Sequence, residues 1–177
     1  HLLVTAGATH EPIDQARVIT NRSTGQMGVL LAQVARLRGA TVQLVHGPLS
    51  VPEAWCEGVA CIPVTTADDM QQVLADHQPS MDAIAMVAAV ADLRRVESSE
   101  TKLSKHQLPE LLATGWSQVP DLLAALSRCR PHGQTLLGFA ALAGADAALI
   151  AQGKAKLLAK GCDLLMVNPI DRLGQGF

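Results

Sequence analysis

Polar and apolar positions in this chain alternate in blocks rather than singly. Apolar runs of strand length recur at 2–6, 41–46, 60–64, 83–90, 135–139 and 163–167. Between them, at 26–38, 67–77, 121–129 and 145–160, apolar residues return every three or four positions. The first pattern predicts strands and the second helices. No polar residue interrupts Ile84-Ala85-Met86-Val87-Ala88-Ala89-Val90, the mark of a strand covered on both faces, as in a parallel sheet between helix layers. Strand and helix in regular turn predict one α/β domain over 1–177, Rossmann-like and doubly wound, with a mainly parallel sheet and helices on both faces.

Local signals sharpen the element ends. Arg38-Gly39 supplies a basic last turn and a glycine just past the first helix. Thr66 reads as an N-cap, with Asp68 and Asp69 in the first turn behind it. Two stretches break the rhythm. Residues 93–109 are mostly polar, carry Lys102 and Lys105 and show no period, which predicts a mobile flap over a site. The chain also opens on His1 and stops at Gly174-Gln175-Gly176-Phe177 soon after the sixth strand, as a piece cut from a longer chain is expected to do.

Composition narrows the classes of function. With 49% hydrophobic and 17% charged residues, the chain suits a globular domain with a large core. Net charge is −2, aromatics are 2% and no basic block exists, so nucleic acid is not an expected partner. No apolar run approaches the roughly 18 residues of a membrane span, and no signal peptide is visible ahead of the first strand in residues 1–177. Cys56, Cys61, Cys129 and Cys162 have no metal-ligand spacing and read as thiols of a reducing cytoplasm. The histidines show no such spacing either, and no metal ligands are assigned.

Candidate chemistry follows from the expected fold, because ligands of open α/β sheets collect at the carboxyl ends of the strands. The first strand ends at Gly7, and Ser23-Thr24-Gly25-Gln26-Met27-Gly28 opens the first helix. Free N–H groups, the helix dipole and glycines make such a junction an anion site. Its spacing matches neither the P-loop nor the G-x-G-x-x-G fingerprint. The fourth strand delivers Ala88-Ala89-Val90-Ala91-Asp92, the fifth Gly138-Phe139-Ala140-Ala141 and the sixth Asn168. Lys156 and Lys160 stand four apart on the last helix. Singly, Asp92 reads as a turn cap and the lysines as a solvated face; jointly they read as a nucleoside-triphosphate site with room for a metal.

At these residues the sequence resembles the phosphopantothenate–cysteine ligase family of coenzyme A biosynthesis, in many bacteria the C-terminal half of a bifunctional flavoprotein. The resemblance is carried by Thr5-Ala6-Gly7-Ala8-Thr9-His10-Glu11-Pro12-Ile13-Asp14, by Arg17 to Asn21 and by Ser23 to Gly28. Ala88 to Asp92, Lys102-Leu103-Ser104-Lys105, Pro120-Asp121-Leu122, Gly138 to Ala141 and Lys160-Gly161-Cys162-Asp163 extend it, and Gly176-Phe177 looks like the start of a further family motif.

The resemblance implies a ligase that activates 4′-phosphopantothenate with CTP, through an acyl-nucleotide (CMP) intermediate, and then joins it to L-cysteine. It implies phosphate contacts from Gly7, Ser23, Gly25 and Gly28, with Phe139 and Asn168 bordering the nucleotide. Pro120, Asp121, Leu122, Leu123, Lys156 and Lys160 would surround base and ribose. Asn21 would hold the acyl nucleotide, and Lys102 would bind the triphosphate and stabilise transfer. Ala88, Ala89 and Asp92 would meet phosphopantothenate or nucleotide, and Arg17 would reach in from a second subunit of a homodimer. Mg²⁺ would accompany the triphosphate, and FMN would occur only in a fused decarboxylase domain.

Six positions depart from the family pattern: Gln26, Leu93, Ser104, Val119 and Leu142-Ala143 replace a lysine, an aromatic, a flap lysine, an asparagine and Glu-Thr. Two other readings stay open, a divergent non-catalytic nucleotide-binding domain and an NAD(P)-binding oxidoreductase of Rossmann type. The latter needs a ribose-binding carboxylate after the second strand, where the sequence runs Leu44-Val45-His46-Gly47-Pro48.

Overall fold

A computed structural model describes residues 1–172. Six strands form the main sheet: β1 (Leu2–Ala6), β4 (Val42–His46), β5 (Ala60–Pro63), β6 (Ala83–Met86), β9 (Thr135–Leu142) and β10 (Leu164–Pro169). Their order is β10-β9-β6-β1-β4-β5, and every pairing is parallel. The chain therefore builds outward from β1 to β5, returns to the other side of β1 at β6, and builds outward again. The strand order reverses between β1 and β6, where a doubly wound sheet opens its ligand crevice.

Helix α1 (Gln26–Leu37) covers one face. Its Val29 and Ala32 pack with Val4, Ala6, Leu44 and Ala85, all buried. On the other face α2 (Ala67–His77), α4 (Leu122–Cys129) and α5 (Asp146–Lys160) close over a second core. There Leu3, Val45 and Ile84 meet Met70, Leu74 and Leu126. Helices on both faces of a parallel sheet are what the continuous apolar runs predict. The expected caps form as well. Thr66 Oγ1 accepts from the Asp69 N–H while Asp69 accepts from the Thr66 N–H, a reciprocal capping box.

Three expectations from the sequence change. The stretch before α1, which carries none of the strand-length apolar runs, contains an antiparallel hairpin of β2 (His10–Asp14) and β3 (Arg17–Thr20). The strand expected over 83–90 stops at Met86, because the Thr5 hydroxyl takes the Val87 and Ala88 N–H groups at 3.0 Å each. The flap is partly structured: β7 (Leu93–Arg95) pairs with β8 (Trp116–Gln118), and α3 (Leu108–Ala113) lies between them. Arg95 fastens this unit, stacking 5.3 Å from the Trp116 ring centre and donating to the Leu111 carbonyl at 2.9 Å. Gly176-Phe177 lies outside the described residues.

Helix α1 sits close to β1 because residue 28 has no side chain. A Cβ there would stand 2.6 Å from the Ala6 Cβ and 2.7 Å from the Thr5 carbonyl oxygen, neither of which can rotate away. Gly28→Ala is expected to lower stability despite its better helix propensity. Overpacking costs about 1–3 kcal/mol, against a propensity gain of about 1 kcal/mol. A urea midpoint equal to or above that of the parent protein would show that α1 does not depend on this close approach.

Candidate active site at the strand-order reversal

A cavity of about 1110 Å³ opens over the carboxyl ends of β6, β9 and β10 and the start of α1. Its walls come from four places. Asn21, Ser23 and Thr24 approach from the segment before α1, and Met27 from its first turn. The segment 89–92 and the turn 118–123 form a second wall, Phe139 to Ala141 with Asn168 the floor, and Lys156 with Lys160 the far side.

The helix end is an anion site by construction. Gly25 takes φ of 81° as N-cap and brings no capping side chain to the helix N–H groups, while the Gly25 N–H donates to Ser23 Oγ at 3.3 Å. Gly7, at φ of 76°, ends β1 directly beneath it; a Cβ on Gly25 would lie 3.1 Å from the Gly7 nitrogen. The first-turn N–H groups of α1 have no intrahelical acceptor; Thr24 Oγ1 accepts from that of Gln26 at 3.3 Å, and those of Met27 and Gly28 remain at the positive end of the helix dipole.

The wall opposite is held by threonines. Thr5 and Thr9 are fully buried. Thr5 Oγ1 holds Val87 and Ala88, and Thr9 Oγ1 accepts from the Ala91 N–H at 3.0 Å. Backbone bonds Ala89 N–H to Gly7 O at 2.8 Å and Thr9 N–H to Ala89 O at 3.3 Å complete the seam. Asn21 closes it, its Nδ2 donating to the Ala89 and Val90 carbonyls at 3.2 and 3.0 Å. Both amide hydrogens are thereby engaged, so the group Asn21 can offer a ligand is the acceptor Oδ1.

Asp121 caps α4, accepting from the Ala124 N–H at 3.0 Å, and also pairs with the Lys160 ammonium. Burial works against its charge, but the Lys160 and Ala124 hydrogen bonds and the nearby positive charges outweigh this and hold its pKa below the ordinary aspartate value. Two lysines and two aspartates line the cavity, so their formal charges cancel. Lys156 makes no ion pair among the described residues.

The cavity thus brings together Asn21, Ser23, Ala89, Asp92, Pro120, Asp121, Leu122, Leu123, Phe139, Lys156, Lys160 and Asn168. Gly7, Gly25 and Gly28 build the adjoining helix junction rather than the cavity wall, and Ala88 packs against the core. Lys102 and Arg17 do not line it. Arg17 lies on the hairpin, bound to Asp14, and Lys102 lies on the flap beside the same carboxylate. Sequence reasoning assigned no role to Thr5, Thr9 or Glu11. The last is a buried carboxylate on β2 that accepts from the Ala67 N–H at the start of α2, 2.8 Å away. Thr5 shows as a polar residue within an apolar run; Thr9 and Glu11 stand among polar neighbours and have no such signal.

No group of three or more His, Cys, Asp or Glu side chains among the described residues could hold a metal. Mg²⁺ carried by a triphosphate asks for less, one or two carboxylates beside phosphate oxygens. Asp92 meets that need, since Asp121 is engaged by Lys160. No helix among the described residues is long and apolar enough to cross a membrane.

The Asp121–Lys160 pair has a pH signature. A carboxylate with a depressed folded pKa contributes stability that is fully present above its unfolded value of 3.8 and is lost as pH falls through the lower folded value. Asp121→Asn keeps the cap but loses the charge, so it should be less stable than the parent at neutral pH. The gap should close between about pH 5 and pH 2. Urea unfolding across that range checks this, and a gap of constant size would remove the ion pair from the account.

Comparison with known proteins identifies the family. Residues 1–177 match the family model described as DNA/pantothenate metabolism flavoprotein C-terminal domain. The chain is 40% identical over 181 residues to the coenzyme A biosynthesis bifunctional protein CoaBC of Mycobacterium tuberculosis, covering 96% of this chain and 41% of that protein. It is 38% identical over 176 residues to the protein of that name from Vibrio vulnificus, covering 99% of this chain and 43% of the relative. The chain thus spans about two fifths of the length of these relatives. Among solved structures, the crystal structure of the C-terminal domain of CoaBC superposes with a TM-score of 0.78 at 30% identity, over 94% of this chain and 76% of that one. The chain belongs to the DNA/pantothenate metabolism flavoprotein C-terminal domain family.

Proposed function

We propose that this domain is the ligase that joins 4′-phosphopantothenate to L-cysteine in coenzyme A biosynthesis, with CTP as the activating nucleotide. Its relatives carry the name of a bifunctional coenzyme A biosynthesis protein. The observation that carries the reading is the meeting, in one cavity, of a helix N-terminus, the Asn21 amide oxygen and a lysine-bearing far wall. In the first step the pantothenate carboxylate attacks the α-phosphate, forming the acyl cytidylate and releasing pyrophosphate. In the second the cysteine amine attacks the acyl carbon, forming the amide and releasing CMP.

Charge is the obstacle in the first step, because a carboxylate must approach a polyphosphate. The cavity side chains supply no net positive charge, since its lysines are matched by aspartates. Neutralisation must come from the α1 N-terminus, from the Lys102 side chain swinging in from the flap, and from Mg²⁺. The Mg²⁺, held at Asp92 and the phosphate oxygens, would supply further charge neutralisation. Lys156 and Lys160, with Pro120 to Leu123, border the base and ribose. In the second step an acceptor is needed near the attacking amine, and Oδ1 of Asn21 provides it. Arg17 serves the site of a second subunit in a homodimer, and FMN belongs to a fused decarboxylase domain.

The test is pyrophosphate release by the full protein with CTP or ATP, with and without phosphopantothenate. Release is expected with CTP and only when phosphopantothenate is present. Asn21→Asp turns the donor facing the Ala89 and Val90 carbonyls into a repelling oxygen. Product formation should then fall at least about 100-fold, the scale of one lost transition-state contact. Normal turnover in this variant would remove Asn21 from the mechanism.

A further inference from the structure

The flap is tied to the β2–β3 hairpin at two points. The Ser99 N–H donates to the Ile13 carbonyl at 3.1 Å. Four residues on, the peptide unit joining Lys102 to Leu103 presents its N–H to Asp14 Oδ2, also at 3.1 Å. Arg17 grips the same place from the other side, its Nη1 donating to Asp14 Oδ2 at 2.5 Å and to the Leu103 carbonyl at 3.3 Å. Leu103 is thus held at both its N–H and its C=O, by a carboxylate and a guanidinium that also hold each other.

The Asp14 side chain is 0% exposed, although it sits at a hairpin turn where aspartates are usually solvated. Burial opposes its charge, but N–H donation from Ala16 and Leu103 and the Arg17 charge outweigh that and keep its pKa low. Capping the hairpin requires only the Ala16 N–H, which Asp14 accepts through Oδ1 at 2.8 Å. The second oxygen serves the flap. Bonds to an ionised acceptor are the stronger kind, and this one fixes the peptide plane next to the Lys102 Cα.

We propose that Asp14 is a positioning residue for the ligase reaction, acting through Lys102 by holding the peptide unit that follows it. The proposal rests on the ligase reading, in which Lys102 is the side-chain charge the neutral cavity lacks. Asp14 itself touches no substrate. With the Lys102–Leu103 peptide anchored, the lysine side chain swings from a fixed base instead of from a loose loop, so less freedom is lost each time it closes on the triphosphate.

Two measurements on the full protein test this. The bond trypsin cuts after Lys102 is the one whose N–H Asp14 holds. Asp14→Asn should speed cleavage there about tenfold under native conditions, the equivalent of one lost hydrogen bond to a charged group, with cleavage after Arg38, at the end of α1, unchanged. In steady-state assays Asp14→Asn should lower kcat about tenfold and leave KM for cysteine within about twofold. The double variant Asp14→Asn/Lys102→Gln should be no slower than Lys102→Gln alone, because a residue that acts only through Lys102 has nothing left to position.

Leu103→Pro deletes the flap N–H and leaves Asp14 with Ala16 and Arg17. It should reproduce the fall in kcat, since trypsin does not cut before proline, and serves as the test if Asp14→Asn does not fold; an unchanged kcat in that variant overturns the proposal. Unchanged tryptic cleavage, or a double variant slower by the product of the single effects, overturns the proposal. If the parent protein releases no pyrophosphate, the ligase reading fails, and with it the positioning role; the cleavage rate then still reports whether Asp14 anchors the flap.

Discussion

The structure depends on keeping two neighbouring parallel strands together where their chains must part. Beyond Ala6 and Met86 the backbones of β1 and β6 leave the sheet for different destinations, and ladder bonds end there. Without a substitute, the N–H groups of Val87, Ala88 and Ala91 would face the crevice unpaired, at a cost of about 1–3 kcal/mol each if buried. The hydroxyls of Thr5 and Thr9 supply the substitute. They extend the seam past the end of the sheet, and the segment that becomes a cavity wall is fixed before any ligand arrives.

The rest of the site is arranged around that seam. Asn21 is drawn onto it by the Ala89 and Val90 carbonyls, which decides which end of its amide remains for a ligand. Glycines bring the first helix down beside it: a side chain at residue 28 would collide with β1, and one at residue 25 would crowd Gly7. A helix N-terminus, an oriented amide and a stiff backbone wall therefore meet without strain being stored in any one of them. No non-glycine residue in the described chain takes a positive φ.

Charge is divided differently. The cavity balances its acidic and basic side chains in number, and Asp121 with Lys160 forms a direct pair. Such a neutral vessel binds a polyanion only with help from outside its own walls. Outside those walls the flap carries Lys102 and Lys105, and the hairpin that anchors it belongs to the stretch between β1 and α1. Seam, helix junction and anchor all derive from the first 28 residues.

The layer order of the fold was legible in the sequence because strand length, helix period and caps are local properties. Unbroken apolar runs announced a sheet covered on both sides; Thr66 and Gly39 announced helix ends through their own chemistry. The β2–β3 hairpin was not legible, since His10, Glu11, Pro12 and Asp14 are poor strand formers whose pairing is secured by distant contacts such as Glu11 with Ala67. Nor was the end of β6, because Val87 to Val90 are as apolar as the strand before them and leave it only for hydroxyls 82 and 83 residues earlier in the chain. The sequence by itself determined which segments are strands and helices of the sheet, and that glycines and hydroxyls crowd the first junction. Only the tertiary structure decided which polar groups face one another: that Asp121 meets Lys160, that Asn21 spends its hydrogens on residues 89 and 90, and that Asp14 holds the flap. Hydrogen bonds between residues far apart in the chain leave no periodic trace in it, because their partners are chosen by the crossing of strands and not by spacing along the backbone.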